Sequence, residues 1–234
     1  MQLNNLKYNA VRVYALFTII IFVSCSKEPL SPQNEISTVN FKISIAKNND
    51  AQDTELFKPQ TPPVISKILV TIHQYLPTDT IITKKEFTQS NGTWTATVEL
   101  EKGRYYMFDV EASDAEDIVW YEGDEYADIS NENESVSITL YQCHLNLSVL
   151  TTTAHTVTLS WSEYFGSDFK DYSIHRSGDG HNFGGIENIA TRTTTTYTDI
   201  NLTPNTTYWY CVIAWTTGYN IAQSNDVEVT MSGN

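Results

Sequence analysis

The feature that most constrains this chain is the alternation of apolar and polar residues along its last ninety positions. Leu145, Leu147 and Val149 alternate with polar residues, and the segment from Val157 to Trp161 repeats the pattern. A period of two directs one side of each segment into a shared core, which is how half-buried β-strands behave. The pattern therefore predicts a β-sandwich in which the Trp161 indole lies between two sheets.

A denser pattern runs from Thr196 to Ala214, where the sequence reads TYTDINLTPNTTYWYCVIA. It resembles the strand E to strand F passage of fibronectin type III domains, and the resemblance extends over residues 143–232. The resemblance implies an immunoglobulin-like β-sandwich with a tyrosine corner, in which the Tyr208 hydroxyl bonds to backbone upstream. It leaves the ligand open, because such folds carry many unrelated functions. The residues that match the family pattern are Tyr197, Asp199, Leu202, Pro204, Thr206, Tyr208, Tyr210, Val212 and Ala214.

Residues 38–142 show the same period of two and indicate a second antiparallel sandwich. The passage from Gly92 to Ala112 is similar to immunoglobulin-like domains of Bacteroidetes surface lipoproteins. The sequence thus predicts an all-β chain of two tandem immunoglobulin-like β-sandwiches. The strands predicted in this region centre on Phe41, Ile43 and Ile45; on Ile68, Val70 and Ile72; on Trp94, Ala96, Val98 and Leu100; on Tyr106, Phe108, Val110 and Ala112; and on Val136, Ile138 and Leu140.

Residues 1–24 have the pattern of a targeting segment, because two basic residues precede an apolar run of eleven residues, Val13–Val23. The sequence FVSC that ends at Cys25 resembles a bacterial lipobox. The resemblance implies that Cys25 is acylated, for instance with palmitate, and anchors the mature protein in the bacterial cell envelope, most simply at the outer membrane. An ordinary signal peptide and a single membrane span are the alternatives, although a span needs roughly 20 residues. Residues 25–37 are polar with two prolines, which predicts a tether.

The chain carries 14 basic and 28 acidic residues. Residues 1–24 hold two of the basic ones, so the remainder has a formal charge of 12 − 28 = −16. This charge excludes nucleic acid as an electrostatic partner and gives no attraction to anionic lipid. The acids crowd between positions 109 and 128, where two neighbouring loops could supply oxygen ligands for Ca²⁺. The alternative is a set of solvated surface acids. The candidate ligands are Asp114, Glu116, Asp117, Asp124 and Glu125.

No catalytic pattern accompanies these acids, since the five histidines show neither a metalloprotease motif nor a zinc-site spacing. We therefore expect a protein without enzymatic activity and without a cofactor other than the Ca²⁺ considered above. Cys143 and Cys211 would meet an oxidising compartment after export. We expect both to be free thiols, because Cys211 faces outward on strand F and Cys143 precedes a strand of the other sheet.

The sharpest candidate for a binding site is the outward side of strand F. With Tyr208, Tyr210, Val212 and Ala214 pointing inward, the alternate residues must point outward. These alternate residues are Trp209, Cys211, Ile213 and Trp215, of which Trp209, Ile213 and Trp215 are the candidate binding residues.

Exposed aromatic rings stack on sugars and anchor protein contacts, so the stripe indicates an interaction surface. The alternative is that a neighbouring strand or the first sandwich covers it. The expected function is a binding or spacer module at the cell surface with a glycan or protein ligand. The alternative function is a structural subunit of a surface assembly or an adhesin, joined by strand addition at an open sheet edge.

Overall fold

The computed structural model describes residues 35–45, 63–74, 79–90, 93–218 and 220–233. The predicted lipid-bearing Cys25 and most of the predicted tether lie outside the described residues. Within those ranges every regular element is a β-strand, so the predicted all-β class is confirmed. Those ranges contain no helix of the length and hydropathy that a membrane crossing requires.

The described residues of the first sandwich form nine strands. They are β1 Ile36–Ile45, β2 Lys67–Gln74, β3 Thr80–Glu86, β4 Thr88–Ser90, β5 Thr93–Thr95, β6 Thr97–Glu101, β7 Arg104–Ser113, β8 Val119–Ile129 and β9 Asn133–Gln142. Seven are hydrogen-bonded in the order β3-β2-β7-β8-β9-β1-β6, and β4 pairs with β5 as a separate hairpin. β1 runs parallel to β9 and antiparallel to β6. The inward side chains of these strands meet in one hydrophobic core cluster.

Four of the five strands predicted for this region are confirmed as β1, β2, β7 and β9. The predicted strand from Trp94 to Leu100 is wrong in extent, because it breaks at Ala96. β5 on one side of the break pairs with β4, and β6 on the other side pairs with β1. The Ala96 carbonyl accepts a hydrogen bond from the Phe41 N–H at 3.3 Å, so the break itself is held against β1.

Two strands, β3 and β8, were not predicted. The side chains of β3 are exposed or half-buried along its whole length, so this strand has no apolar period. β8 contains four acids, and its buried residues Trp120 and Tyr121 are adjacent because the pairing with β7 shifts register between Ala112 and Ser113. The acidic segment read as loops in the sequence is therefore largely a strand of the sheet.

In the part of the second sandwich that the structure describes there are also nine strands. They are β10 His144–Leu145, β11 Leu147–Thr152, β12 Val157–Trp161, β13 Phe169–Ser177, β14 Gly184–Ile189, β15 Thr196–Asp199, β16 Thr207–Thr216, β17 Ile221–Ser224 and β18 Val227–Thr230. One sheet has the order β11-β12-β15; the other has the order β10-β17-β16-β13-β14, with β18 also paired to β16. Trp161 is 1% exposed and packs edge-on against Tyr172 at 5.5 Å between ring centroids, inside a second core cluster. The predicted position of Trp161 is confirmed.

Cys143 and Cys211 are both free thiols, as predicted, but part of the reasoning was wrong. Cys143 directly precedes β10, and β10 belongs to the same sheet as β16, where Cys211 lies. β17 lies between these two strands, so two strand spacings, about 9.5 Å, separate them. A disulfide needs Cα atoms within about 4.4–6.8 Å, which this arrangement does not provide.

Two turns of the second sandwich have the conformation that their sequences indicate. In the Asp179-Gly180 dipeptide, which is typical of tight turns, Gly180 has a φ of 74°. In the tyrosine corner, the Tyr208 hydroxyl accepts a hydrogen bond from the Thr203 N–H at 3.3 Å. Tyr208 is half-buried, and the Arg176 guanidinium lies 5.4 Å above its ring. The phenol therefore joins β16 to the loop before it.

The two sandwiches meet without a linker, because β9 ends at Gln142 and β10 begins at His144. Gln142 is 1% exposed. Its Nε2 donates to the carbonyls of His144 at 2.9 Å and Glu163 at 3.4 Å, and its Oε1 accepts from the Phe165 N–H at 2.8 Å. One buried amide thus ties the last strand of the first sandwich to the β12–β13 loop of the second.

Candidate binding face

The binding residues proposed from the sequence lie on β16, which runs through the middle of its sheet. Tyr210, Val212 and Ala214 are fully buried on the inner side of this strand. Their alternates point to the outer side. The tryptophan face is the outer surface formed by Trp209, Cys211, Ile213 and Trp215 together with their partners on neighbouring strands.

The four residues differ in how far solvent reaches them. Trp215 is 42% exposed, whereas Trp209 and Ile213 are half-buried. Cys211 is only 4% exposed, which corrects the expectation that it faces solvent, yet it lies outside the second core cluster. Its burial, and then the nearby Asp226 carboxylate, raise the pKa of the Cys211 thiol to about 12, so the thiol is uncharged at neutral pH. The tryptophan face is open at Trp215 and covered near its middle.

Trp215 is surrounded by both apolar and acidic neighbours. Its register partners are Ile221 on β17 and Asp171 on β13, and Ile213 precedes it by two residues on the same side. Register partners place their Cβ atoms about 4.5–5.5 Å apart on the same face of an antiparallel sheet. The half-buried Asp171 carboxylate lies 4.0 Å from the exposed Lys170 ammonium, which makes a loose ion pair. Trp215, Ile221 and Ile213 thus form an apolar patch with the Asp171 carboxylate at its edge.

Trp209 occupies the other end of the face, next to the Gly180 turn. A Cβ at Gly180 would lie 3.3 Å from the Trp209 ring, so this turn both needs a positive φ and packs closely on the indole. The register partners of Trp209 are Ser177 on β13 and Glu228 on β18. Glu228 is exposed. A second indole therefore also lies next to a carboxylate.

Between the two indoles the face is lined by smaller polar side chains. Ser173 is buried, and its hydroxyl lies 2.9 Å from Nε2 of the half-buried His175. Burial lowers the pKa of His175, so this imidazole is neutral at pH 7. The arrangement can bind a ligand by stacking and hydrogen bonding.

The comparison with protein families matches residues 142–230 to a known domain type. Residues 142–230 are a fibronectin type III domain. None of the curated proteins compared with the sequence matches it. The fibronectin type III match coincides with the second sandwich, and the tryptophan face is the outer face of its sheet containing strand F.

Solved structures similar to this chain include other fibronectin type III domains. The 6th such domain from human fibronectin type III domain containing protein 3 is 22% identical, with 39% of this chain and 86% of that chain covered and a TM-score of 0.34. The chicken CNTN1 FN1-FN3 domains are 13% identical, with 71% and 56% covered and a TM-score of 0.35. Pectate lyase PelI from Erwinia chrysanthemi is 19% identical, with 37% and 28% covered and a TM-score of 0.34. The chain spans little more than a quarter of the pectate lyases it matches.

The acids proposed as Ca²⁺ ligands lie outside the fibronectin type III domain, and the structure does not bring them together. Asp114 and Asp117 lie in the β7–β8 turn, and Glu116 lies between them, whereas Asp124 and Glu125 lie in the middle of β8. The expectation of two neighbouring acidic loops is therefore wrong, because Asp124 is five residues, about 16 Å, along the strand from Val119. Among the described residues, no three His, Cys, Asp or Glu side chains are placed to hold a metal ion.

Asp114 instead organises the turn in which it lies. Its Oδ1 accepts from the N–H groups of Glu116 at 3.0 Å and Ile118 at 2.9 Å, and its Oδ2 accepts from Trp120 Nε1 at 2.6 Å. Burial opposes ionisation of this carboxyl, but the hydrogen bonds from Trp120 and the backbone outweigh it and lower the pKa of Asp114. Asp117 in turn pairs with Lys67 at 2.6 Å. These acids have structural partners within the fold.

The sequence analysis did not predict that outward-facing acids of the first sandwich lie opposite one another on neighbouring strands. Asp109 and Asp124 are register partners across β7 and β8, and so are Glu111 and Glu122. His73 lies between the carboxylates of Asp79 at 2.9 Å and Asp109 at 3.1 Å. The signal was present in the alternating acids of β7, but pairing them required the register of β8, a strand that was not predicted.

Proposed function

We propose that this protein is a non-catalytic, lipid-anchored module of a bacterial cell envelope that binds a glycan or a protein through the tryptophan face. The fibronectin type III domain is a binding or scaffold module of a typically non-catalytic type. The supporting observation for the binding role is Trp215. Among the Phe, Tyr and Trp residues that the structure describes, Trp215 alone is exposed. An indole held in water by a rigid strand is available for contact without any rearrangement of the fold.

The experiment that tests this role compares Trp215→Ala with Leu150→Ala. Leu150 is 57% exposed on β11, in the opposite sheet of the same domain, so its truncation removes similar exposed apolar surface elsewhere. We expect Trp215→Ala to reduce retention of the full chain on a panel of immobilised glycans and envelope proteins, and Leu150→Ala to leave it unchanged. Equal retention of both variants and the wild type on every member of the panel would reject the binding role.

The anchor part of the proposal rests on the lipobox-like sequence that ends at Cys25. Two or more acyl chains hold a protein on a bilayer at about 0.8 kcal/mol per buried CH₂. We expect Cys25→Ser to abolish incorporation of radiolabelled palmitate and to leave the leader uncleaved, with Ser24→Ala as the neighbouring control. Labelling that persists in Cys25→Ser would remove the lipid anchor from the proposal.

A structural subunit joined by strand addition is the second candidate function, and β3 is the observation that favours it. β3 is the last strand in its sheet order, and it carries Ile81 at 54% and Ile82 at 47% exposure. Edge strands with exposed apolar residues pair readily with a further strand. If this function is the correct one, Ile82→Lys should block assembly while Trp215→Ala has no effect on it.

A further inference from the structure

The tryptophan face has a feature that bears on the chemistry of its partner, and the inference from it rests on the proposed binding role. Each of its two indoles has a carboxylate as a register partner on an adjacent strand. Asp171 on β13 lies opposite Trp215, and Glu228 on β18 lies opposite Trp209. The two tryptophans are six residues apart on β16, which corresponds to about 20 Å along the strand. The same pairing of aromatic ring and anion thus occurs at both ends of one face.

The domain that carries this face has a net negative charge. Residues 143–233 contain eight acids and three bases, a formal charge of 3 − 8 = −5. Arg176 is paired with the buried Asp199 at 2.8 Å, and Arg192 is paired with Glu163 at 3.3 Å. Lys170 is the third base, and its contact with Asp171 is the loose pair at 4.0 Å described above. The Lys170 ammonium is largely exposed, and at this distance its contact with the half-buried Asp171 carboxylate is weak, so a competing cation can replace it.

The other titratable groups on the face add no positive charge at neutral pH. Burial lowers the pKa of His175, and it also lowers the pKa of His144, which lies at the edge of the sheet opposite Gln223. The Cys211 thiol is protonated because its pKa is raised to about 12. The face therefore presents two aromatic rings, each beside a carboxylate, and a third carboxylate, Asp226, lies near Cys211. Anionic ligands such as uronate or phosphate groups would be repelled.

An aromatic ring next to a carboxylate is a recognition site for a cation. The ring attracts the ammonium or guanidinium group through its quadrupole, and the carboxylate supplies the counter-charge. A neutral sugar would use the ring but would gain nothing from the formal charge beside it. We propose that the tryptophan face binds an extended basic polypeptide segment whose Lys or Arg side chains, about six residues apart, occupy the Trp215–Asp171 and Trp209–Glu228 pairs.

The test is calorimetric titration of the full chain with a ten-residue lysine peptide, with a ten-residue glutamate peptide and cellohexaose as comparison ligands. The double variant Asp171→Asn/Glu228→Gln removes both carboxylate charges of the face with little change in shape. The double variant Glu99→Gln/Glu187→Gln removes two exposed charges elsewhere and is the charge-matched control. We expect the lysine peptide to bind the wild type about tenfold more tightly than the first variant, and about equally to the control, since each site contributes a modest share. Trp215→Leu should weaken binding by about two- to fivefold.

Three results would overturn the proposal. Equal weakening by the two double variants would mean diffuse attraction to an acidic protein. No binding of the lysine peptide to the wild type would remove the cationic partner altogether. Binding of cellohexaose that is lost in Trp215→Leu, without binding of the lysine peptide, would leave the tryptophan face as a binding site and show that its partner is a neutral glycan.

Discussion

Among single residues, Asp199 shows how one buried carboxylate joins two strands of the fibronectin type III domain. Asp199 is 5% exposed, and its Oδ2 accepts hydrogen bonds from Tyr210 Oη at 2.9 Å and from Arg176 Nη1 at 2.8 Å. Burial, and then the charge of Asp199, raise the pKa of Tyr210, so the phenol stays protonated and continues to donate at neutral pH. The charge inside the sandwich is thus stabilised from two sides.

Two tyrosines two residues apart on β16 allow the value of this contact to be measured. Tyr210→Phe removes a donor from a buried carboxylate and should destabilise the fold by about 2 kcal/mol. Tyr208→Phe removes an acceptor from the exposed Thr203 N–H, which water can replace, and should destabilise it by about 1 kcal/mol or less. Urea unfolding of the two variants measures both values. A larger loss for Tyr208→Phe would show that the tyrosine corner, rather than Asp199, dominates.

The sequence predicts the tyrosine corner, because the spacing of Leu202 and Tyr208 is local and belongs to a recognisable pattern. It also predicts that Trp215 points outward, since period two along β16 follows from Tyr210, Val212 and Ala214. It could not predict that Asp171 and Glu228 lie opposite the two tryptophans. These pairings depend on the register of β13 and β18 against β16, and β13 shifts register between Phe169 and Asp171. Register set by such irregularities is not encoded in the periodicity of any one strand.

Among the elements, the approach of β8 to β9 closes the first sandwich at Gly123. A Cβ at this position would lie 2.3 Å from the Thr139 carbonyl oxygen and 3.1 Å from Leu140 Cδ2. Only glycine allows the two strands to come this close. The structure contains the predicted strands that have strong apolar alternation. β8 was not predicted, because its outward acids dominate its sequence and its inward apolar residues do not alternate clearly.

Replacing Gly123 tests the closeness of these strands. Gly123→Ala should destabilise the fold by about 1–3 kcal/mol, because the backbone of β9 must move to admit the methyl group. Gly184→Ala, at the start of β14, is the matched control, since nothing lies within 4 Å of its Cβ position. The free energy of unfolding in urea should be nearly unchanged in the control. Equal values for Gly123→Ala and wild type would mean that β8 and β9 are farther apart than described.

In the whole molecule, two hydrophobic core clusters are joined by a short junction. The first cluster draws on residues 39–140 and the second on residues 145–231. The junction is held by the buried Gln142, by the Cys143 N–H that donates to the Trp120 carbonyl at 2.9 Å, and by the Trp120 ring edge-on to His144 at 4.9 Å. We expect the cores to unfold separately, because no apolar residue is shared between the clusters, although these contacts couple their orientation.

Scanning calorimetry of the wild type, Trp161→Ala and Trp215→Ala tests the central claim that Trp215 is a surface residue available for binding. Trp161→Ala should lower the temperature of one unfolding transition, that of the fibronectin type III domain. Its free energy of unfolding should fall by about 3–5 kcal/mol, because the substitution leaves a cavity in the core between the sheets. Trp215→Ala should leave both transitions within about 0.5 kcal/mol of the wild type, as surface substitutions do. A loss in Trp215→Ala comparable to that in Trp161→Ala would show that the indole belongs to the packed fold, and would contradict the account.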